Sequence, residues 1–212
     1  MYSPLDEDII TYCDNHSSKG HDILEIIERN AHTKTLHPQM ITGPLLANFF
    51  KWLLKWVKPK NILEVGTFVG YGSAVFALYT DEDTQIDTIE INPENHFLAN
   101  QHFDLIKSKN KINSVLGDAR EWIQNQDKTW DFVLIDAAKK DNIDYYNMLL
   151  PKLSSNGVMV IDNTLWKGKV LNEHQDKTTQ NISKLNRLIQ EDSSVENLLL
   201  PLEDGITLIR KK

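Results

Sequence analysis

Asn61-Ile-Leu-Glu-Val-Gly-Thr-Phe-Val-Gly-Tyr-Gly-Ser73 is the stretch whose reading decides the fold. Ile62, Leu63 and Val65 make a short apolar run just after Pro59. Glycines stand at 66, 70 and 72, and Ser73-Ala-Val-Phe-Ala-Leu78 reads as the first turns of a helix. Strand, glycine-rich turn and helix, in that order, open a nucleotide-type α/β fold. Glu64 is the odd residue, because an acid inside an apolar strand is costly to bury without a partner. It either pairs with a local cation such as Lys60 or meets a ligand at the carboxyl end of the first strand.

The glycine spacing narrows the ligand. A dinucleotide fold uses G-x-G-x-x-G so that backbone can press on a pyrophosphate. Gly66, Gly70 and Gly72 give the wider G-x-x-x-G-x-G, and no G-K-[ST] follows, which excludes a P-loop. A wide turn in acidic company suits adenosine joined to an amino acid, and S-adenosylmethionine is the candidate.

Downstream, strands and helices alternate. Strands are expected over 85–91, 111–116, 130–135 and 158–161, with helices over 94–108, 119–126, 142–151 and 178–191. Trp130–Ile135 is almost unbroken apolar sequence, as a buried parallel strand requires. Segments 198–202 and 206–210 flank Glu203-Asp204-Gly205, an Asp-Gly hairpin signal expected to set one strand antiparallel at a sheet edge. Five successive βα units imply a doubly wound, mostly parallel, seven-stranded Rossmann-like sheet. Upstream, helical periodicity runs over 5–15, where Leu5, Ile9, Ile10 and Cys13 share a face, and over 21–31. A third helix over 45–57 starts at Pro44 and is apolar around most of its circumference, so burial on two sides is expected. Trp52 and Trp56 on it read as core or dimer contacts. One domain is expected over 1–212, with 1–57 packing on the core or on a second subunit and 58–212 forming the cofactor and metal core.

Composition excludes several classes. The 212 residues carry a formal net charge of −7 with no basic run, which disfavours a nucleic-acid partner. Cys13 is the single cysteine, so neither a disulfide framework nor a thiolate metal site can form within the chain. No apolar run approaches the ~18 residues of a membrane span, and residues 1–20 lack a signal-peptide core. A soluble cytoplasmic protein is the expectation, acting without membrane or nucleic acid.

Each of the first five strands delivers an acid at or near its carboxyl end: Glu64, Glu90, Asp118, Asp136 and Asp162. Those ends line the ligand crevice of open α/β sheets. Glu90 follows Gly66 at close to the ~20-residue offset at which an acid binds a ribose diol. Asp118-Ala119 would flank adenine, with Asp118 accepting from its amine, although Asp after Gly also caps helices well. Asp136, Asp162 and Asn163 are hard oxygen donors on adjacent strand ends without His or Cys. That set suits Mg²⁺ first, or Mn²⁺ or Ca²⁺, over Zn²⁺. Lys139, three residues past Asp136, would have its pKa lowered beside such a cation and would serve as general base, whereas Lys140 is expected to be solvated. Trp166 could wall an aromatic acceptor or merely pack its loop.

Together these residues resemble the cation-dependent O-methyltransferases of the caffeoyl-CoA and catechol type. The resemblance runs from about Met40 to Arg210. It is carried by Ile62-Leu-Glu-Val-Gly-Thr-Phe-Val-Gly-Tyr71, Phe132-Val-Leu-Ile-Asp-Ala-Ala-Lys139, Val160-Ile-Asp-Asn-Thr-Leu-Trp-Lys-Gly-Lys-Val170 and Leu200-Pro-Leu-Glu-Asp-Gly205. It implies that Glu64, Gly66, Thr67, Glu90, Ala119 and Asp136 contact S-adenosylmethionine, with Met40 and Thr42 closing over it. Gly70, Tyr71, Gly72 and Ser73 belong to the same cofactor turn. Asp136, Asp162 and Asn163 would hold the metal, Lys139 matches the base, and homodimers are implied. The chain also departs from the pattern. Gly72 stands where a serine often binds the methionine carboxylate, with Ser73 one place later. Leu45-Leu46-Ala47 replaces the Gln-Gly-Arg of many bacterial relatives, Leu198 stands where the animal catechol enzyme has an aligning Glu, and Asp136-Ala-Ala138 replaces Asp-Ala-Asp. The function implied is methylation of a vicinal diphenol. The alternatives are a methyltransferase with another small-molecule acceptor, or a non-catalytic adenosyl-binding protein.

Overall fold

The strand that opens the cofactor motif, β1 (Asn61–Val65), lies near the middle of a seven-stranded sheet. The fold is that of a computed structural model describing residues 7–107 and 111–212. The other strands are β2 (Gln85–Glu90), β3 (Ile112–Leu116), β4 (Trp130–Ile135), β5 (Leu153–Asp162), β6 (Val195–Leu200) and β7 (Ile206–Lys211). Their order is β3-β2-β1-β4-β5-β7-β6. Neighbours are parallel from β3 to β5, and β7 runs antiparallel to both β5 and β6. The antiparallel strand is therefore one place in from the edge, not at the edge as expected. The hairpin turn at Pro201–Gly205 lets β7 slot beside β5, leaving β6 outermost.

The helices are α1 (Glu7–Asn15), α2 (Asp22–Lys34), α3 (Pro44–Val57), α4 (Tyr71–Tyr79), α5 (Pro93–Phe103), α6 (Ala119–Gln124), α7 (Asn142–Leu149) and α8 (Lys177–Glu191). Leu5 and Ser108, expected within helices, lie outside the described residues. β5 starts earlier than the apolar run 158–161 suggested, because Leu153 pairs with Trp130 across a register shift.

Strand periodicity divides the core. Ile62, Phe132, Leu134 and Val160 face a cluster built on α2, α3 and α4, while Leu63, Val65, Val133 and Ile135 face α6, α7 and α8. Phe50, Phe76 and Phe132 meet with centroids 5.4–6.2 Å apart and edge-on tilts, which fixes α3 and α4 onto the sheet. Burial of α3 differs from expectation. Leu46, Ala47, Phe50 and Leu54 are buried, but Trp52 and Trp56 remain 56% and 73% exposed, so among the described residues one face of this apolar helix is left largely uncovered.

Between β1 and β4 the chain's winding reverses, because β2 and β3 lie to one side of β1 and β4 to the other. This switch point opens a crevice at the carboxyl ends of the strands, where the glycine turn sits.

Candidate active site

The glycine turn is fixed at every residue. Gly66 has φ 100°, and a Cβ there would lie 2.1 Å from the Asp136 carbonyl oxygen, so only glycine lets the two strand ends meet. The Gly66 N–H donates to Ile89 O at 3.0 Å, and the Asp136 N–H donates to Val65 O at 2.9 Å. Phe68 donates its N–H to Glu90 Oε2 at 2.7 Å. Glu90 Oε1 accepts from Asn92 N–H at 2.8 Å, so the carboxylate that ends β2 is oriented by two main-chain donors.

Beneath the turn lies a buried polar chain. Thr67 Oγ1 and Thr88 Oγ1 are 2.6 Å apart, and Thr88 Oγ1 donates to Glu64 Oε2 at 2.7 Å, an oxygen that also receives the Ser73 hydroxyl. Glu64 is 2% exposed. Burial pushes its carboxyl up to about 7, against the lowering effect of the Ser73 and Thr88 hydrogen bonds. The Lys60 alternative for Glu64 is thereby answered: Lys60 pairs with Asp81 and Asp83 at the surface.

Several expected cofactor contacts have other positions here. Ser73 is fully buried and its hydroxyl serves Glu64, so it lies behind the crevice. Tyr71 is 5% exposed in the core cluster facing α2 and α3, and burial raises its phenol, so it does not present a hydroxyl to the crevice. Thr67 is buried, with its hydroxyl engaged by Thr88. Asp118 takes the capping role: Oδ1 accepts from Arg120 N–H at 2.8 Å, and the Arg120 guanidinium reaches Oδ2 at 2.7 Å. Those bonds to Arg120 hold Asp118 below the usual carboxylate range. Arg120 also pairs with Asp141 at 3.2 Å, tying the start of α6 to the turn that carries Lys139. Ala119 is buried at the start of α6. Gly70, with φ 83°, is the N-cap of α4, and Gly72 lies in that helix's first turn. Met40 is half exposed in a single helical turn at Pro38–Met40, and Thr42 is half-buried. A Cβ at Gly43 would lie 3.1 Å from Glu203, so this segment borders the β6–β7 turn.

The second constellation forms at the ends of β4 and β5. Lys139 Nζ donates to Asp136 Oδ1 at 2.9 Å, so the expected base is the ion-pair partner of an expected metal ligand. Lys140 is exposed. Asp162 is 9% exposed, and burial first, then the neighbouring Asp136 charge, pushes its carboxyl well above the usual range. Asn163, in the left-handed region at φ 59°, turns the chain directly after it. The following loop is stapled to the β6–β7 turn. Thr164 N–H donates to Gly205 O and Leu165 N–H to Asp204 O, both at 2.9 Å, and Lys167 N–H donates to the Asp204 carboxylate. These bonds hold Trp166 and Lys167 at φ 49° and 52°, a conformation that costs non-glycine residues ~1–2 kcal/mol each.

Among the described residues no group of three His, Cys, Asp or Glu side chains is arranged to hold a metal. The expected set is instead two carboxylates and the Asn163 amide. Its chemistry fits a hard divalent cation: two carboxylates close enough to repel, one of them buried, are the arrangement a cation relieves. Sequence reasoning missed Thr88, Arg120 and the anchoring role of Asp204. It also missed Ile91, 70% exposed directly after Glu90, with Leu116 half exposed at the end of the neighbouring strand. An apolar residue directly after a strand-end acid was the available signal.

This strand order, switch point and glycine turn define a Rossmann-like methyltransferase fold. A methyltransferase from Podospora anserina, bound to SAH, superposes with a TM-score of 0.91 over 97% of this chain and 94% of its own at 23% identity. An O-methyltransferase from Bacillus cereus, also in complex with SAH, gives 0.88 over 97% of each chain at 22% identity. The caffeoyl-CoA O-methyltransferase of Stellaria longipes is 32% identical over 192 residues, 82% of this chain and 78% of that protein. The O-methyltransferase family pattern matches residues 14–212, and the chain belongs to that family.

Proposed function

We propose that this protein transfers a methyl group from S-adenosylmethionine to one hydroxyl of a vicinal diphenol, with Mg²⁺ or a similar divalent cation. The observation that carries the reading is the group at the ends of β4 and β5: Asp136 paired with Lys139, beside the buried Asp162. The caffeoyl-CoA name of the relative supports the acceptor class. The SAH in the two similar structures supports the donor.

Glu90 would take the ribose hydroxyls, with Ile91 along the adenine. Gly66 leaves space for the methionine end next to Asp136. Asp136, Asp162 and Asn163 would hold the cation, which when bound supplies Lewis-acid and template chemistry. A phenol of pKa ~10 is ~0.1% ionised at pH 7, a deficit of roughly 4 kcal/mol. Lys139 Nζ, held as a proton donor by Asp136 here, would accept the phenol proton once Asp136 turns from it to the cation and Nζ is neutral. Trp166 walls the ring, and the stapled loop holds it there. Fixing oxygen and methyl carbon ~3 Å apart in line supplies the orientation.

The acting unit is a homodimer of single-domain chains. Trp52 and Trp56 are exposed on α3, and Leu53 of the same helix lines a surface groove with Val158, Leu198 and Leu208, rimmed by Glu196 and Arg210; a second subunit would cover this apolar area. A lone cysteine suits the reducing cytoplasm, and among the described residues no helix is long and apolar enough to cross a membrane. The test is methylation of a catechol panel with and without chelator. Mg²⁺-dependent turnover supports the reading, and undiminished turnover after exhaustive chelation refutes it.

A further inference from the structure

His102 is a buried imidazole that the reaction does not use. It sits on α5, 1% exposed, between two elements that are far apart in sequence. Nδ1 lies 2.8 Å from the Val69 carbonyl oxygen in the glycine turn, and Nε2 lies 3.0 Å from Asn30 Nδ2 on α2. A carbonyl oxygen only accepts, so Nδ1 carries the proton and donates to Val69. Nε2 is then left as the acceptor for the Asn30 amide. Both ring nitrogens are thus satisfied by one neutral tautomer, the form that burial also favours.

The turn needs this support. Phe68 and Gly70, on either side of Val69, are left-handed at φ 48° and 83°. Such a turn keeps its shape only when its surroundings over-determine it. Phe68 is held by Glu90, and Gly70 rests on α5, where an added Cβ would meet the Phe103 ring at 2.6 Å. The Val69 carbonyl is held by His102. The N–H of the same peptide, that of Gly70, donates to Thr67 O at 2.8 Å, so without His102 this peptide keeps a single tie.

We infer that His102 is a positioning residue: it locks the Val69 carbonyl, fixes the cofactor turn, and braces α2 against that turn through Asn30. The inference rests on the cofactor reading above. The experiment compares wild type, His102→Leu, His102→Asn and Asn30→Ala by calorimetry with S-adenosylhomocysteine and by hydrogen exchange of the turn without ligand. An Asn side chain places its amide where Nδ1 stood and keeps a donor for Val69. His102→Leu should bind about 3- to 10-fold more weakly, the worth of one hydrogen bond, and exchange faster over residues 68–72. His102→Asn should restore affinity to within about twofold of wild type. Asn30→Ala should lower the melting temperature but keep affinity. His102→Leu with wild-type affinity and exchange, or His102→Asn no better than His102→Leu, overturns the role. A wild-type chain that binds no S-adenosylhomocysteine overturns the cofactor reading itself, and the role with it, whatever the variants do.

Discussion

Replacing Glu64 by Gln should flatten the pH dependence of this protein's stability in the absence of ligand. Burial raises the Glu64 carboxyl from 4.5 to about 7, and the Ser73 and Thr88 hydrogen bonds only partly oppose it. At ~1.4 kcal/mol per unit, that shift corresponds to about 3 kcal/mol between the two protonation states. Between pH 4.5 and about 7 the folded chain holds this proton and the unfolded chain does not. The stability it confers is complete below the unfolded value and is lost as pH rises through the folded one. Gln accepts the same two hydroxyls without an ionisation. From pH 4.5 to 8 the wild type should therefore lose about 3 kcal/mol more than Glu64→Gln, while the other carboxylates cancel in the comparison. With a urea m-value of ~3 kcal/mol/M, the midpoints should diverge by about 1 M. Midpoints that run parallel from pH 4.5 to 8 would refute the reasoning.

Lys139→Met should cost ~10²–10⁴ in turnover, the worth of a general base, and acidic nitrocatechols should recover part of it. The exposed Lys140→Met should stay near wild type, and a wild-type rate for Lys139→Met removes Lys139 from the mechanism. Glu90→Ala should weaken S-adenosylhomocysteine binding by roughly 1.5–3 kcal/mol, checked by calorimetry, with unchanged affinity as the contrary result. Light scattering at micromolar concentration should give about twice the 24.4 kDa chain mass, and Trp56→Glu should reduce it to that mass.

The sheet was legible because its signals are local: the apolar run of β4, the glycines after β1 and the Asp-Gly turn each fix their own element. Strand order near the hairpin was not, since β7 lies inside β6 for reasons of pairing with β5 that no local pattern carries. The site divides the same way. Strand-end placement brought Glu90, Asp136 and Asp162 to one side of the sheet, because strand parity and topology determine where a strand ends. The roles of Ser73, Tyr71 and Asp118 depend on which neighbour each side chain meets. For Asp118 that neighbour is Arg120, two residues away, whose backbone and guanidinium both bond to the carboxylate. For Lys139 it is Asp136, which the i,i+3 spacing did suggest.

Gly72 and Ser73 are best understood as a pair, and the pair makes a last prediction. Introducing at 72 the serine that the family resemblance leads one to expect, by Gly72→Ser, should harm this protein. A Cβ at 72 would lie 2.0 Å from Glu64 Oε1 and 3.2 Å from its Cδ, so Glu64 must move. Moving it strains the oxygen that holds both Ser73 and Thr88. Overpacking of this kind costs ~1–3 kcal/mol, whereas the gain in helix propensity over glycine is only ~0.5 kcal/mol. Gly70, the N-cap of α4, has no side chain to cap the first amides, and under the function proposed above those N–H groups would be the donors for the methionine carboxylate. Gly72→Ser should therefore lower both the melting temperature and the affinity for S-adenosylhomocysteine. The double variant Gly72→Ser with Ser73→Ala should not rescue either, since the clash is with Glu64 and not with Ser73. A Gly72→Ser protein that melts no lower and binds more tightly would show that Glu64 yields freely, and that the buried chain from Thr67 to Ser73 does not hold it.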